Sequence, residues 1–190
     1  MVTLRTPDTE FGKKAADFKL RSAHDGKQYS LLDCHGKKGL VVVFICNHCP
    51  YVKAIVNRKI REAKKILAIG VGFIAINPND AIIYPDDSFD KMQEFANNHK
   101  FDFPYLHDET QEVARKYGAV CTPDFFGFNK DLDLQYRGRL DQPPAVKNRK
   151  ILEDTRQDDS ELFKAMQIIS ETNKHEQRQI SSIGCSIKWI

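Results

Sequence analysis

Leu40-Val41-Val42-Val43-Phe44-Ile45-Cys46-Asn47-His48-Cys49-Pro50 decides the reading of this chain. Its first six residues are β-branched or otherwise apolar and carry no charge. Such a run predicts a strand buried on both faces, the kind found in the middle of a parallel sheet. From Pro50 to about Ala68 the pattern changes period. Val52, Ile55, Val56, Ile60, Ala63, Ile66 and Leu67 fall on one stripe at helical spacing. Lys53, Arg58, Arg61, Lys64 and Lys65 lie mostly outside it and read as a solvated helix face. Two cysteines three residues apart therefore stand where a central strand gives way to a helix. A cysteine at a helix N-terminus meets unpaired backbone N–H groups and the positive end of the dipole, which stabilise the reactive thiolate. A second cysteine one turn on can close a small disulfide ring. The alternative is two inert buried thiols.

Outward from that centre the elements alternate. Residues 18–31 read as a hairpin turning at Asp25-Gly26. Val71 to Ile76 is a second uncharged strand, closed by Asn77-Pro78-Asn79-Asp80. Ser88 caps a helix with Phe89, Met92, Phe95 and Ala96 as its apolar face. Phe103 to Leu106 reads as a short edge strand, since Pro104 cannot donate to a ladder. Glu109 to Tyr117 is a short helix stopped by Gly118. Asp124 to Phe128 and Leu134 to Arg137 form a late hairpin. Gln142 to Asp159, with Pro143-Pro144, reads as a loop or lid, and Ser160 opens a last helix. Strand–helix–strand crossovers imply a parallel centre, to which the late hairpin adds antiparallel strands. The expected organisation is a polar segment over 1–14, the main α/β domain over 15–142, and a loop, helix and tail over 143–190 packing on it.

Composition removes several function classes. The 190 residues hold 29 basic and 26 acidic side chains, a formal charge of +3, so no basic stripe for nucleic acid is expected. The longest apolar run is seven residues, Leu40 to Cys46, against roughly 20 for a membrane span. The N-terminus lacks an apolar stretch of signal length, so a cytoplasmic setting is expected. Five cysteines is an odd number, a poor fit to a secreted disulfide framework. With 19 aromatic residues the chain can build a core.

The strand–CxxC–helix unit, followed at a distance by Thr122-Pro123 before a strand, resembles the thioredoxin fold. Val41 to Lys53, Ala75 to Asp80, Tyr84 to Ser88, Thr122 to Phe126 and Ser182 to Trp189 are together similar to the peroxiredoxin-like branch of that superfamily. This branch is the alkyl hydroperoxide reductase/thiol-specific antioxidant family. The resemblance spans about residues 15–190. It implies a central mixed β-sheet flanked by helices, with an N-terminal hairpin and a C-terminal helical extension. It also implies a thiol–disulfide oxidoreductase in which Cys46 attacks and Cys49 resolves, with Thr122-Pro123, its proline in cis, packed beside them for substrate docking.

The resemblance equally offers a thiol peroxidase. There the peroxide-reacting cysteine aligns with Cys49, followed by Pro50, and an arginine, Arg137 or Arg139, holds the thiolate. The threonine that such enzymes place three residues earlier is Cys46 here. Leu40 to Ile45 also lacks the buried acid of thioredoxins, leaving proton transfer to His48 or water. His48, between the cysteines, is expected to tune them by favouring thiolate.

A third reading, from a different class, is Cu or Zn binding through Cys46 and Cys49 with His48 and Cys121 as further soft or borderline donors. Cys121 is a third redox partner or a small core residue. Cys185 is an accessory resolving thiol or, if the tail packs on the far side of the body, filler. Cys34 is assigned no role. No resident cofactor or metal is expected. The expected partners are a protein or small-molecule disulfide, or a hydroperoxide, and a thioredoxin- or glutathione-type reductant; a homodimer is left open.

Overall fold

The computed structural model describes residues 3–148, 150–174 and 180–190. In chain order the first elements are β1 (Thr3–Arg5), β2 (Lys19–Ser22), β3 (Gln28–Ser30) and the one-turn α1 (Leu31–Cys34). Then come β4 (Gly39–Phe44), α2 (Pro50–Ala68), β5 (Gly72–Asn77) and, after a 3₁₀ turn at Pro85–Asp87, α3 (Phe89–Asn98). They are followed by β6 (Tyr105–His107), α4 (Glu112–Tyr117), β7 (Cys121–Thr122), β8 (Asp124–Asn129) and β9 (Leu134–Gly138). The chain ends with the small hairpin β10 (Val146–Lys147) and β11 (Lys150–Ile151), α5 (Glu161–Thr172) and β12 (Ile183–Ser186).

The main sheet runs β3-β2-β6-β5-β4-β8-β9. β4 is parallel to β5 on one side and antiparallel to β8 on the other, so the centre is mixed rather than purely parallel. All six residues of β4 are buried, and their alternation divides the core. Val41, Val43 and Ile45 face the layer of α2, α3 and α5. Leu40, Val42 and Phe44 face α1, α4 and the ring of Tyr117. Each such side chain contributes about 1.5–3 kcal/mol of burial, which is why this strand tolerates no charge.

Four expectations need correction. The first residues are not loose: Thr3–Arg5 pairs antiparallel with Ile183–Cys185. Phe103 to Leu106 is not an edge: β6 lies between β2 and β5, and Pro104 stands just before it, where no ladder donor is needed. The basic face of α2 is not uniformly solvated. Arg58 is fully buried. It donates to both carboxylate oxygens of Asp154 at 2.9 and 3.1 Å, and it also pairs with Asp141. Finally, the described residues of the 142–159 segment are held down rather than hanging as a lid. Asp154 N–H donates to Ala54 O at 2.7 Å, and Glu62 accepts from both N–H and Oγ of Ser160. A helical stripe locates the face toward the sheet; it is blind to a second cover laid over the opposite face. Among the described residues no helix is long and apolar enough to cross a membrane.

Candidate active site

β4 delivers Cys46 at its end, and a bend through Asn47 and His48 leads into α2. Cys49, not Cys46, is the N-cap of that helix, with extended backbone (φ −63°, ψ 122°) and Pro50 as the first helical residue. The helix-terminus argument for thiolate therefore applies to Cys49 and corrects its earlier placement on Cys46. Both thiols are buried, as are Cys34, Cys121 and Cys185, and all five are free.

Thr122 meets both cysteines of the motif. Cys46 Sγ lies 3.3 Å from Thr122 Oγ1, and Cys49 Sγ lies 3.2 Å from Thr122 O. The Thr122–Pro123 peptide is cis, as the resemblance implied. The tail then completes the cluster. β12 pairs with β7 so that Cys185 faces Thr122, and Cys185 Sγ sits 3.0 Å from Cys49 Sγ. The strand comes so near that a Cβ on Gly184 would stand 2.0 Å from Thr122 O, so only glycine fits there. Cys185 is thus not filler on the far side. Cys121 is a neighbour without that contact; its Sγ is 4.0 Å from Pro123 O.

The electrostatics separate the two motif thiols. Hydrogen bonds from the Cys185 and Cys46 thiols, with the Val52 N–H, hold Cys49 well below the ordinary thiol range despite its burial. Cys46 moves the other way: its bond to Cys49 and its burial push it well above that range. Burial, with the charge of Asp33 adding to it, lifts Cys34 to about 12.

His48 Nδ1 stands 2.7 Å from the carboxylate of Asp87, and its ring stacks on Tyr84 at 5.7 Å. That carboxylate raises the imidazole pKa. Asp87 is fully buried. Its Oδ1 accepts the Asn47 N–H at 2.7 Å and its Oδ2 accepts the Asn79 amide at 2.7 Å. Burial pushes this carboxyl up, but His48, Asn79 and Asn47 outweigh it, and the net shift is down. Asn47 also accepts from Tyr105 Oη at 2.9 Å. Asp87 is thus a buried acid brought beside the motif from a distant turn. Sequence reading missed Asp87, Asn47 and Asn79 as site residues. Tyr84 to Ser88 did belong to the family resemblance, but nothing in its spacing points back to Cys46.

Both arginines make ion pairs with residues outside the motif. Arg137 donates to Asp124 at 3.1 Å and to Gly118 O at 2.6 Å. Arg139 holds Glu161 through two bonds of 2.7 and 2.8 Å. Around the cluster lie three hollows. One of about 220 Å³ includes Pro123, Tyr51, Ile55, Leu140 and Ile183 in its lining. Two others, of about 230 and 450 Å³, both include His48 and Asp86 in their walls.

Comparison with known proteins follows the same lines. The AhpC/TSA family model matches residues 11–137. An uncharacterized conserved protein from Geobacillus kaustophilus is 40% identical, with a TM-score of 0.90 over 100% of this chain and 97% of that one. A hypothetical protein from Sinorhizobium meliloti 1021 is 31% identical, with a TM-score of 0.87 over 98% of each chain. Peroxidoxin BcpB from Mycobacterium tuberculosis shares the fold at 19% identity and a TM-score of 0.57, over 68% of this chain and 85% of that one. No curated protein matches this sequence.

Proposed function

The chain belongs to the AhpC/TSA family, and we propose that within it the chain works as a thiol–disulfide oxidoreductase built on Cys46 and Cys49. Its function is thiol-based redox chemistry. One observation carries the finer reading: both motif sulfurs lie against Thr122, and Cys49 caps the N-terminus of α2, where the helix dipole favours thiolate. In this reading Cys49, at the helix cap, makes the first attack, in place of the Cys46 expected from sequence.

Cys49 S⁻ attacks one sulfur of a substrate disulfide. The substrate S–S bond breaks, its electron pair leaves with the second sulfur, and a mixed disulfide forms. Cys46 then attacks Cys49 Sγ and expels the first substrate sulfur. The protein ends as a Cys46–Cys49 disulfide and the substrate as two thiols, taking one proton from Cys46 and one from solvent. An external thiol, of thioredoxin or glutathione type, returns two electrons. A cytoplasmic setting belongs to the same reading.

A second reading rests on burial. Cys49 is 0% exposed and is followed by Pro50, an arrangement open to an oxidant as small as a hydroperoxide. Cys49 S⁻ would take one peroxide oxygen to give sulfenic acid, and a neighbouring thiol would condense with it, releasing water. The commitment of Arg137 to Asp124 and of Arg139 to Glu161 speaks against it. Offering a protein disulfide and hydrogen peroxide in parallel to one reduced preparation tests the choice. Faster turnover of the disulfide is expected; turnover of peroxide alone would replace the first reading with the second.

A further inference from the structure

We propose that the reduced protein binds one Zn²⁺ ion through Cys46 Sγ, the His48 imidazole and the Asp87 carboxylate. One ligand atom from each of these three residues lies within 4.8 Å of the other two. A tetrahedral zinc with ordinary bond lengths needs such atoms about 3.3–3.8 Å apart. The His48–Asp87 contact, now 2.7 Å, would open slightly while the sulfur moves in.

The donor set selects the ion. Thiolate and imidazole exclude Ca²⁺ and Mg²⁺, which take oxygen. The carboxylate oxygen is a poor partner for Cu(I), which prefers soft donors, and suits Zn²⁺. Charge agrees: one thiolate and one carboxylate neutralise a divalent cation, which a buried site requires. The supports for the ligands are also built. Asn47 N–H and the Asn79 amide fix the two oxygens of Asp87, and Thr122 Oγ1 lies 3.3 Å from Cys46 Sγ, where it can donate to the thiolate. Tyr84 stacks on the His48 ring. His48 is the one ligand with an exposed edge, its side chain 15% accessible, and it borders the 450 Å³ hollow with Tyr84 and Lys188. That hollow is the route for the ion. Three protein ligands leave a fourth position for water, so the ion exchanges rather than staying locked in.

Binding transfers no electrons. A Zn–S bond, a Zn–N bond and a Zn–O bond form. The Cys46 thiol proton, and any proton on the imidazole nitrogen that binds, go to solvent. While the ion is in place Cys46 cannot resolve a mixed disulfide on Cys49, so zinc and the Cys46–Cys49 disulfide exclude each other. The site shares Cys46 with the redox reading but does not depend on it.

The test uses the full chain, reduced and held without oxygen, with Zn²⁺ in competition with a chromophoric chelator. One ion per chain is expected. Cys46→Ser and His48→Gln should each weaken binding by about 10–100-fold or more, while Cys34→Ser should bind as the parent does. Co²⁺ in place of Zn²⁺ should show thiolate-to-metal absorption in the parent and lose it in Cys46→Ser. Zinc should also slow alkylation of Cys46 at least about tenfold, with recovery on chelation. Absence of binding, or binding that His48→Gln leaves unchanged, overturns the proposal. If Cys46→Ser does not fold, the partly exposed His48→Gln and the cobalt spectrum of the parent decide. Zinc binding by a protein that reduces no disulfide would sink the redox reading alone; disulfide reduction without zinc binding would sink this one alone.

Discussion

Cys185 of the C-terminal strand places its sulfur 3.0 Å from that of Cys49, closer than ordinary contact between unbonded sulfurs and short of a bond. Mild oxidation should therefore yield a Cys49–Cys185 crosslink alongside Cys46–Cys49. Peptide mapping after sub-stoichiometric oxidant checks it. Recovery of Cys46–Cys49 alone would make Cys185 a hydrogen-bond donor to the thiolate and nothing more.

The order of attack gives a second expectation. Cys49→Ser removes the thiolate and should reduce disulfide turnover to background. Cys46→Ser should leave Cys49 able to attack and should accumulate mixed disulfides, visible as a mass increase. Retained turnover in Cys49→Ser with trapping there would return the nucleophile to Cys46. Cys185→Ala should slow the first step by raising the Cys49 pKa, because it removes the first of the bonds that depress it.

The centre of the fold was legible because its signals are local. β4 announces itself by an uncharged run, α2 by an apolar stripe, and Ser160 by a cap whose hydroxyl does accept the Phe163 N–H. What was illegible is long-range. Arg58 looks like a surface base until Asp141 and Asp154 arrive from a loop far along the chain. Cys185 joins the site only because β12 pairs with β7. Asp87 reaches His48 from a turn beyond β5. In each case the partner comes from an element whose placement no local period encodes.

His48 should act through charge. Asp87 raises its pKa, so the imidazolium persists above the ordinary histidine range. Its support for the Cys49 thiolate is strongest in acid and fades as pH rises through that raised value. His48→Ala should raise the thiolate pKa and make the disulfide a weaker oxidant. Ultraviolet titration of the thiolate that superimposes on the parent's would reject this.

Arg58 should be a stability residue. It is fully buried and fastens Asp154 and Asp141 to α2; after Arg58→Ala those carboxylates keep only the partly exposed Arg156 as a cation, which does not tie them to the helix. Breaking such a pair costs about 3–5 kcal/mol. Denaturant unfolding should show that loss, and limited proteolysis should begin within residues 142–159. A change below about 1 kcal/mol would mean that the segment stays in place without the arginine.

Lys59 presents the opposite case, a buried cation whose removal should help. Its ammonium lies 4.4 Å from the centre of the Phe101 ring and 5.7 Å from that of Phe103. Burial lowers its pKa to about 7. The unfolded chain keeps the proton up to the ordinary lysine range, so between about pH 7 and 10 the unfolded state binds more protons. Stability should therefore rise with pH across that window, by up to about 1.4 kcal/mol per unit from this group. Lys59→Met fills the same space without a charge and should be more stable at pH 7, with the advantage shrinking toward pH 10 as the parent's lysine folds in neutral. Measuring both proteins at each pH cancels the cysteines and tyrosines that titrate there. A stability difference that stays constant with pH would show that Lys59 keeps its proton in the folded state, sustained by the two ring faces.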